Sequence, residues 1–204
     1  IDEVMIGREK RERTMTLEER KRVSYHEAGH CLMGYLLKHT EQPVKVSIIP
    51  RGEAALGYSQ QKATNKKLMT KDEVLCRISV LLGGRSAEKI IYGNVSTGAS
   101  DDIEKISILI TRYTNSWGMN ETIGPLNPEV MGTIGKQLTS DIMVRCKDIV
   151  EDIEKQTIKL LTKHKRYVES IAKDLLLNET IDYEKIKSLI PIRLENSQEI
   201  TLDI

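Results

Sequence analysis

Apolar and polar positions run along this chain in two rhythms. Most of it repeats every three to four residues, and one short stretch alternates. The first 20 residues, "IDEVMIGREKRERTMTLEER", carry charge with few apolar positions and read as a linker. Thr16 with Glu19 three residues later is a capping box, so a helix is predicted from Leu17 to about Lys38. Val44, Val46 and Ile48 then alternate with Lys45 and Ser47, which is strand periodicity, and Pro50-Arg51-Gly52 signals a turn. Leu56 to Gln60 would be the returning strand of a small sheet of two or three strands with an exposed edge.

Thr70 and Glu73 form a second capping box. The helix they open is predicted to run through Gly83-Gly84 and stop at Gly93. "NVSTGASDD" is a polar loop, with Ser100 or Asp101 capping the helix that follows. Residues 118–135, rich in Gly, Asn and Pro, read as irregular. Ile142, Met143, Cys146, Ile149, Val150, Ile153, Thr157, Leu160 and Leu161 mark one face of a helix near 140–164. Helices at Tyr167–Leu176 and Asp182–Ile190 follow, then a tail after Pro191. No internal repeat is present. The expected fold class is mainly α with a small β-sheet (α+β). Its divisions would be a linker at 1–20, one domain at 21–190 and a tail at 191–204.

Composition narrows the function. Hydrophobic residues make up 39% and charged residues 30% of the 204, as in a globular protein. A net charge of +1 and no arginine-rich stripe give no electrostatic footprint for nucleic acid. With seven Tyr, one Trp and no Phe, the core must be built from aliphatic side chains. Cys31, Cys76 and Cys146 are dispersed and unpaired in sequence, which argues against a disulfide framework or a cysteine zinc knuckle. They read as small buried hydrophobes. No apolar run reaches the roughly 20 residues that span a bilayer. Because the chain begins at Ile1 in mid-pattern, it is expected to be part of something longer.

The candidate chemistry lies in "VSYHEAGHCLMG", residues 23–34. On a helix, His30 sits about 40° round from His26 and one turn up, while Ala28, Cys31 and Leu32 fall on an arc about 200° away. Both imidazoles would therefore point away from the core face, with Glu27 at its margin. Two histidines at this spacing can share a Zn²⁺ ion, and the carboxylate after the first can reach water there without ligating. Neutral imidazoles would leave the ion its positive charge, and Glu27 would take a proton from water and pass it to the leaving amine. The plain alternative is a solvated helix face that happens to carry two histidines.

A catalytic zinc site wants a third protein ligand. His39 lies about 180° from His30 on the same helix, and Met33 and Leu36 stand where a metzincin has its Gly and His. His164 is far along the chain and reads as a surface residue. Carboxylates remain: Glu88 after a Gly-Gly pair, and Asp101 and Asp102 at a helix start, whose positive end favours a carboxylate. The residues alone leave Glu88 and Asp102 equally good.

Six blocks occur in order: "VSYHEAGH", "PVKVSIIPRG", "LGYSQ", "LLGGRSAEKIIYG", "VSTGASDDIEK" and "WGMNETIGP". Together they resemble the peptidase domain of the FtsH-type AAA+ membrane metalloproteases, over about residues 1–190, with a lean towards the organellar branch. The resemblance implies an HExxH zinc-peptidase domain with His26, His30 and Asp102 as ligands and Glu27 as the catalytic base. It implies that Glu88 orients a ligating histidine and that Gly57, Tyr58, Ser59 and Gln60 pair with extended substrate. It further implies a homohexamer that degrades unfolded polypeptide. ATP would be consumed by a separate ATPase module, and the organelle inner membrane would be reached through segments outside this chain. Two departures stand out: Asp101-Asp102 replaces the usual Asn-Asp, and no Phe-Leu-Gly-Arg block follows Pro125. Other classes the residues admit are an inactive assembly module with structural zinc, or a stand-alone soluble protease.

Overall fold

The computed structural model describes residues 15–50, 57–61, 68–128, 130 and 136–190. Most of the 1–20 linker, the 50–52 turn beyond Pro50, Leu56, part of 118–135 and the tail after Pro191 lie outside these residues. Helix α1 is Leu17–Leu36, strands β1 and β2 are Pro43–Ser47 and Tyr58–Gln61, and helix α2 is Lys71–Tyr92. A 3-10 turn at Thr97–Ala99 leads into α3 (Ser100–Asn115), followed by α4 (Lys136–Lys163) and α5 (Lys165–Asn178). Strand β3 (Thr180–Asp182) and helix α6 (Tyr183–Leu189) complete the described order. The fold is mainly helical with one small antiparallel sheet, ordered β2-β1-β3.

Both expected capping boxes form, Thr16 with Glu19 and Thr70 with Glu73. Helix α1 stops two residues early because Leu37 turns extended, and the Thr40 hydroxyl then reaches the carbonyls of Gly34 and Leu37. Helix α2 ends on Gly93, whose φ of 72° is the left-handed conformation glycine adopts without strain. The expected cap of α3 does not form: Ser96 caps the 3-10 turn instead, and Ala99 precedes α3 without a side-chain cap. Asp101 and Asp102 therefore fall inside the first turn.

The sheet is longer by one strand than the periodicity marks. Strand β3 pairs Ile181 with Val46 and is only three residues long, too short to display a period of two. Its presence buries Ser47, whose hydroxyl bonds Thr180 Oγ1 at 2.8 Å, so β1 does not alternate cleanly.

Two apolar clusters fill the interior. One joins α1, β1, α5 and α6, with Leu32, Val46, Ile171 and Ile186 among its buried members. The other joins α2, α3 and α4 through Ile78, Ile110 and Ile153. Helix α2 contributes to both. Cys31 and Cys76 are buried, and Cys146 is half-buried. The α4 stripe faces inward except at Met143, which is 69% exposed. His164 is buried rather than on the surface: the chain breaks there between α4 and α5, and its ring stacks on Tyr167. Burial, with Lys163 and Arg166 nearby, pulls its pKa below the ordinary value.

Thr157, an apparent apolar position of the stripe, is a polar bolt. Its hydroxyl donates to the Ile153 carbonyl at 2.8 Å and accepts from Ser79 at 2.7 Å, joining α4 to α2. Thr157→Val should cost about 1–3 kcal/mol by stranding the buried Ser79 hydroxyl, while adding Ser79→Ala should recover most of that. Urea denaturation of the two variants checks this, and equal stability of the single and double variants would refute it.

Candidate metal centre

Helix α1 presents His26 and His30 from a segment buried nearly all round. Val23, Ser24 and residues 26–34 are all buried, so the histidines do not occupy a wet face opposite the core. The reason is α2, which packs antiparallel against that side: Gly29 meets Gly83, while His26 meets Gly84 and Glu88. A Cβ on Gly84 would overlap the His26 ring, so this glycine makes room for the imidazole.

The outer nitrogen of each ring is already committed. His30 Nδ1 lies 2.8 Å from the Val80 carbonyl, which can only accept, so Nδ1 carries the proton. His26 Nδ1 lies 2.8 Å from Glu88 Oε1. Burial opposes the charge on Glu88, but hydrogen bonds from His26, Arg22 and Ser96 outweigh it and hold its pKa near about 2. Glu88 is thus a carboxylate, and His26 Nδ1 donates to it. Both Nε2 atoms are left facing a common point.

Asp102 completes the convergence from the first turn of α3. Its Oδ2 lies 3.2 Å from each Nε2, and the two Nε2 atoms are 3.0 Å apart. A tetrahedral zinc with bonds of about 2.0–2.1 Å spaces its ligand atoms about 3.3 Å apart, so the three donors match such an ion closely. Among the described residues, these three form the one group of His, Cys, Asp or Glu with donor atoms within 4.8 Å of one another. Glu88 lies behind His26, on its Nδ1 side and outside the triangle, while Asp102 is the carboxylate beside both Nε2 atoms. Asp101 is exposed and pairs with Lys105, so the extra carboxylate beside Asp102 has its own partner on the outer face.

The site's electrostatics suit a cation. Burial penalises charge on His26, yet hydrogen bonds to Asp102 and Glu88 raise its pKa to about 9. Asp102 is held well below the usual carboxylate range, its own burial overcome by bonds from His26 and His30. Glu27 is buried beside the pair; burial raises its pKa, with the two imidazoles opposing the rise. Gly57 sits over it, and a Cβ there would fall 2.6 Å from Glu27 Oε1. Strand β2 runs on along α1 from this point, and a Cβ on Gly34 would come within 3.6 Å of Gln61. Tyr58, Ser59 and Gln60 thus extend from the site on a strand whose outer side has no strand neighbour among the described residues.

Sequence reasoning missed three participants: the Val80 carbonyl, Ser96 and Arg22. Only Arg22 left a signal, lying one helical turn before His26.

Residues 13–189 match the model of peptidase family M41. Among curated proteins, an ATP-dependent zinc metalloprotease FtsH of Syntrophobacter fumaroxidans is 39% identical over 201 residues, covering 91% of this chain and 31% of that protein. A protein of the same name from Rhodothermus marinus is 35% identical over 191 residues, covering 89% and 27%. The mitochondrial inner membrane m-AAA protease component YTA10 of Saccharomyces cerevisiae is 36% identical over 197 residues, covering 93% and 26%. The chain spans about a quarter to a third of the length of these relatives. Matched along most of its length by one family model and by relatives above 30% identity, this chain belongs to peptidase family M41, among the FtsH-type proteins.

Proposed function

We propose that residues 21–190 form a zinc-dependent endopeptidase domain, with His26, His30 and Asp102 as metal ligands and Glu27 as general base. The observation that carries this reading is the convergence of three donor atoms while both Nδ1 atoms are hydrogen-bonded elsewhere. Zinc bound there would supply a Lewis acid for a water molecule and for the scissile carbonyl. Glu27 takes the proton from that water and returns it to the leaving amine; burial, by raising its pKa, fits it for both halves of the exchange. Glu88 fixes the tautomer and angle of His26. Residues 57–60 hold extended polypeptide by strand addition at the edge of the sheet.

In the parent protein the substrate would be unfolded polypeptide. The relatives named ATP-dependent support delivery by an ATPase module elsewhere in that protein. The homohexamer rests on the family resemblance alone. The mitochondrial relatives support an organellar inner membrane. Among the described residues, no helix is long and apolar enough to cross a membrane.

Cleavage of unfolded casein tests the reading: a chelator should abolish it and zinc restore it. Metal analysis tests the ligand set. Asp102→Ala should lose zinc more severely than Glu88→Ala, since the first removes a donor and the second only the group that orients one; the reverse order would overturn the assignment. Zinc should also bind more weakly in acid. His26, with its pKa near about 9 in the metal-free chain, must release a proton to bind. Apparent affinity should therefore fall about tenfold per pH unit below that value for each proton displaced. Calorimetry in buffers of different ionisation enthalpy would read the proton directly.

A further inference from the structure

We infer that Arg22 is a positioning residue for the metal centre, acting through Glu88 on the His26 imidazole. This rests on the function proposed above and adds a residue that neither the HExxH pattern nor the third ligand requires.

The argument starts from helix geometry. Arg22 and His26 are one turn apart on α1, and Glu88 and Tyr92 one turn apart on α2. Because the two helices run antiparallel, His26 meets Glu88 while Arg22 meets both Glu88 and Tyr92. Arg22 Nη1 donates to Glu88 Oε2 at 2.8 Å, and Nη2 donates to Asn94 Oδ1 at 3.0 Å. The guanidinium lies 4.4 Å from the Tyr92 ring centroid, and Tyr25 packs edge-on against that ring at 5.8 Å. Arg22 is thus fixed in plane and in direction.

Glu88 needs that partner. Its side chain is fully buried, and four donors share its two oxygens. Oε1 accepts from His26 Nδ1 and from the Ser96 hydroxyl, and Oε2 from Arg22 and from the Ser96 backbone N–H. Arg22 supplies the one permanent positive charge in this set. Without it a buried carboxylate faces two neutral donors and an imidazole, and its hold on His26 Nδ1 must change. The Arg22 side chain is 28% exposed, so replacing it leaves no cavity in the core. Lysine keeps the charge but cannot reach Glu88 and Asn94 together while stacking on Tyr92.

The test uses the 204-residue chain loaded with Zn²⁺ or Co²⁺. Zinc affinity is measured by competition with a chelating dye, and ligand geometry by the visible absorption of the cobalt form. Arg22→Gln should weaken zinc binding about 10–100-fold, the usual effect of losing a group that supports a ligand, and should shift the cobalt bands. Arg22→Lys should fall between wild type and Arg22→Gln in both readouts. In a Glu88→Gln background, Arg22→Gln should add less than about a twofold change, because the route is already cut. A role confined to stability would lower the unfolding midpoint and leave the cobalt spectrum alone. Unchanged affinity and spectrum in Arg22→Gln, or full additivity with Glu88→Gln, overturns the inference. If Arg22→Gln does not fold, Arg22→Lys carries the test, and a wild-type spectrum in it is the overturning result. Failure of the unmutated chain to bind either metal would instead strike at the proposed function.

Discussion

Replacing Glu27 with Gln should abolish peptide cleavage while leaving zinc in place. The amide keeps the shape of the carboxylate, so the close approach of Gly57 is undisturbed. It cannot accept the water's proton. Loss of a general base costs about 10²–10⁴-fold in rate, and the buried setting of Glu27 leaves no bulk water to take its place. Metal content and the unfolding midpoint should stay at wild-type values, because Glu27 does not belong to the converging donor set. Single-turnover cleavage of casein, with zinc measured on the same sample, decides the matter. Equal rates for the two proteins would remove Glu27 from the mechanism.

The largest structural effect is expected at Gly29, between the two histidines. An alanine Cβ there would collide with the Gly83 carbonyl oxygen and come within 2.7 Å of its carbon and 2.8 Å of the Ala87 methyl. The obstacle is backbone from α2, which cannot swing aside as a flexible side chain would. Alanine gains about 1 kcal/mol in helix propensity, but overpacking costs typically about 1–3 kcal/mol and more where backbone must move. Gly29→Ala should therefore destabilise the fold, and by prying α1 from α2 it should separate His26 from Glu88 and weaken zinc binding too. Gly34 offers the contrast on the same helix. Its added methyl would meet only ordinary contacts at 3.6 Å or more, so Gly34→Ala should be neutral or stabilising by about 0.5–1 kcal/mol. Denaturant titration of the pair checks both signs, and a stable Gly29→Ala would contradict the close helix crossing.

Local rules carried much of the fold. Capping boxes at Thr16 and Thr70 and the glycine stop at Gly93 depend on residues within a few positions of one another, and all three behave as their sequence signals indicate. What sequence could not display depends on partners far along the chain. Strand β3 exists because β1 offers it an edge. His164 is buried because two helices break over it, and Ser47 because Thr180 reaches it. At the site, the pairing of His26 and His30 follows from their spacing, but its burial does not, since α2 begins more than 40 residues later. The choice between Glu88 and Asp102 is of the same kind: both carboxylates are near His26, and only the sides from which they approach distinguish them.

The two apolar clusters share α2 as a common wall, and the three converging donors straddle the line between them. His26 and His30 belong to the body built on α1, and Asp102 to the body that includes α3. A cation at that point would work as a rivet across a seam, fastening α3 to α1 directly as well as through the wall they share.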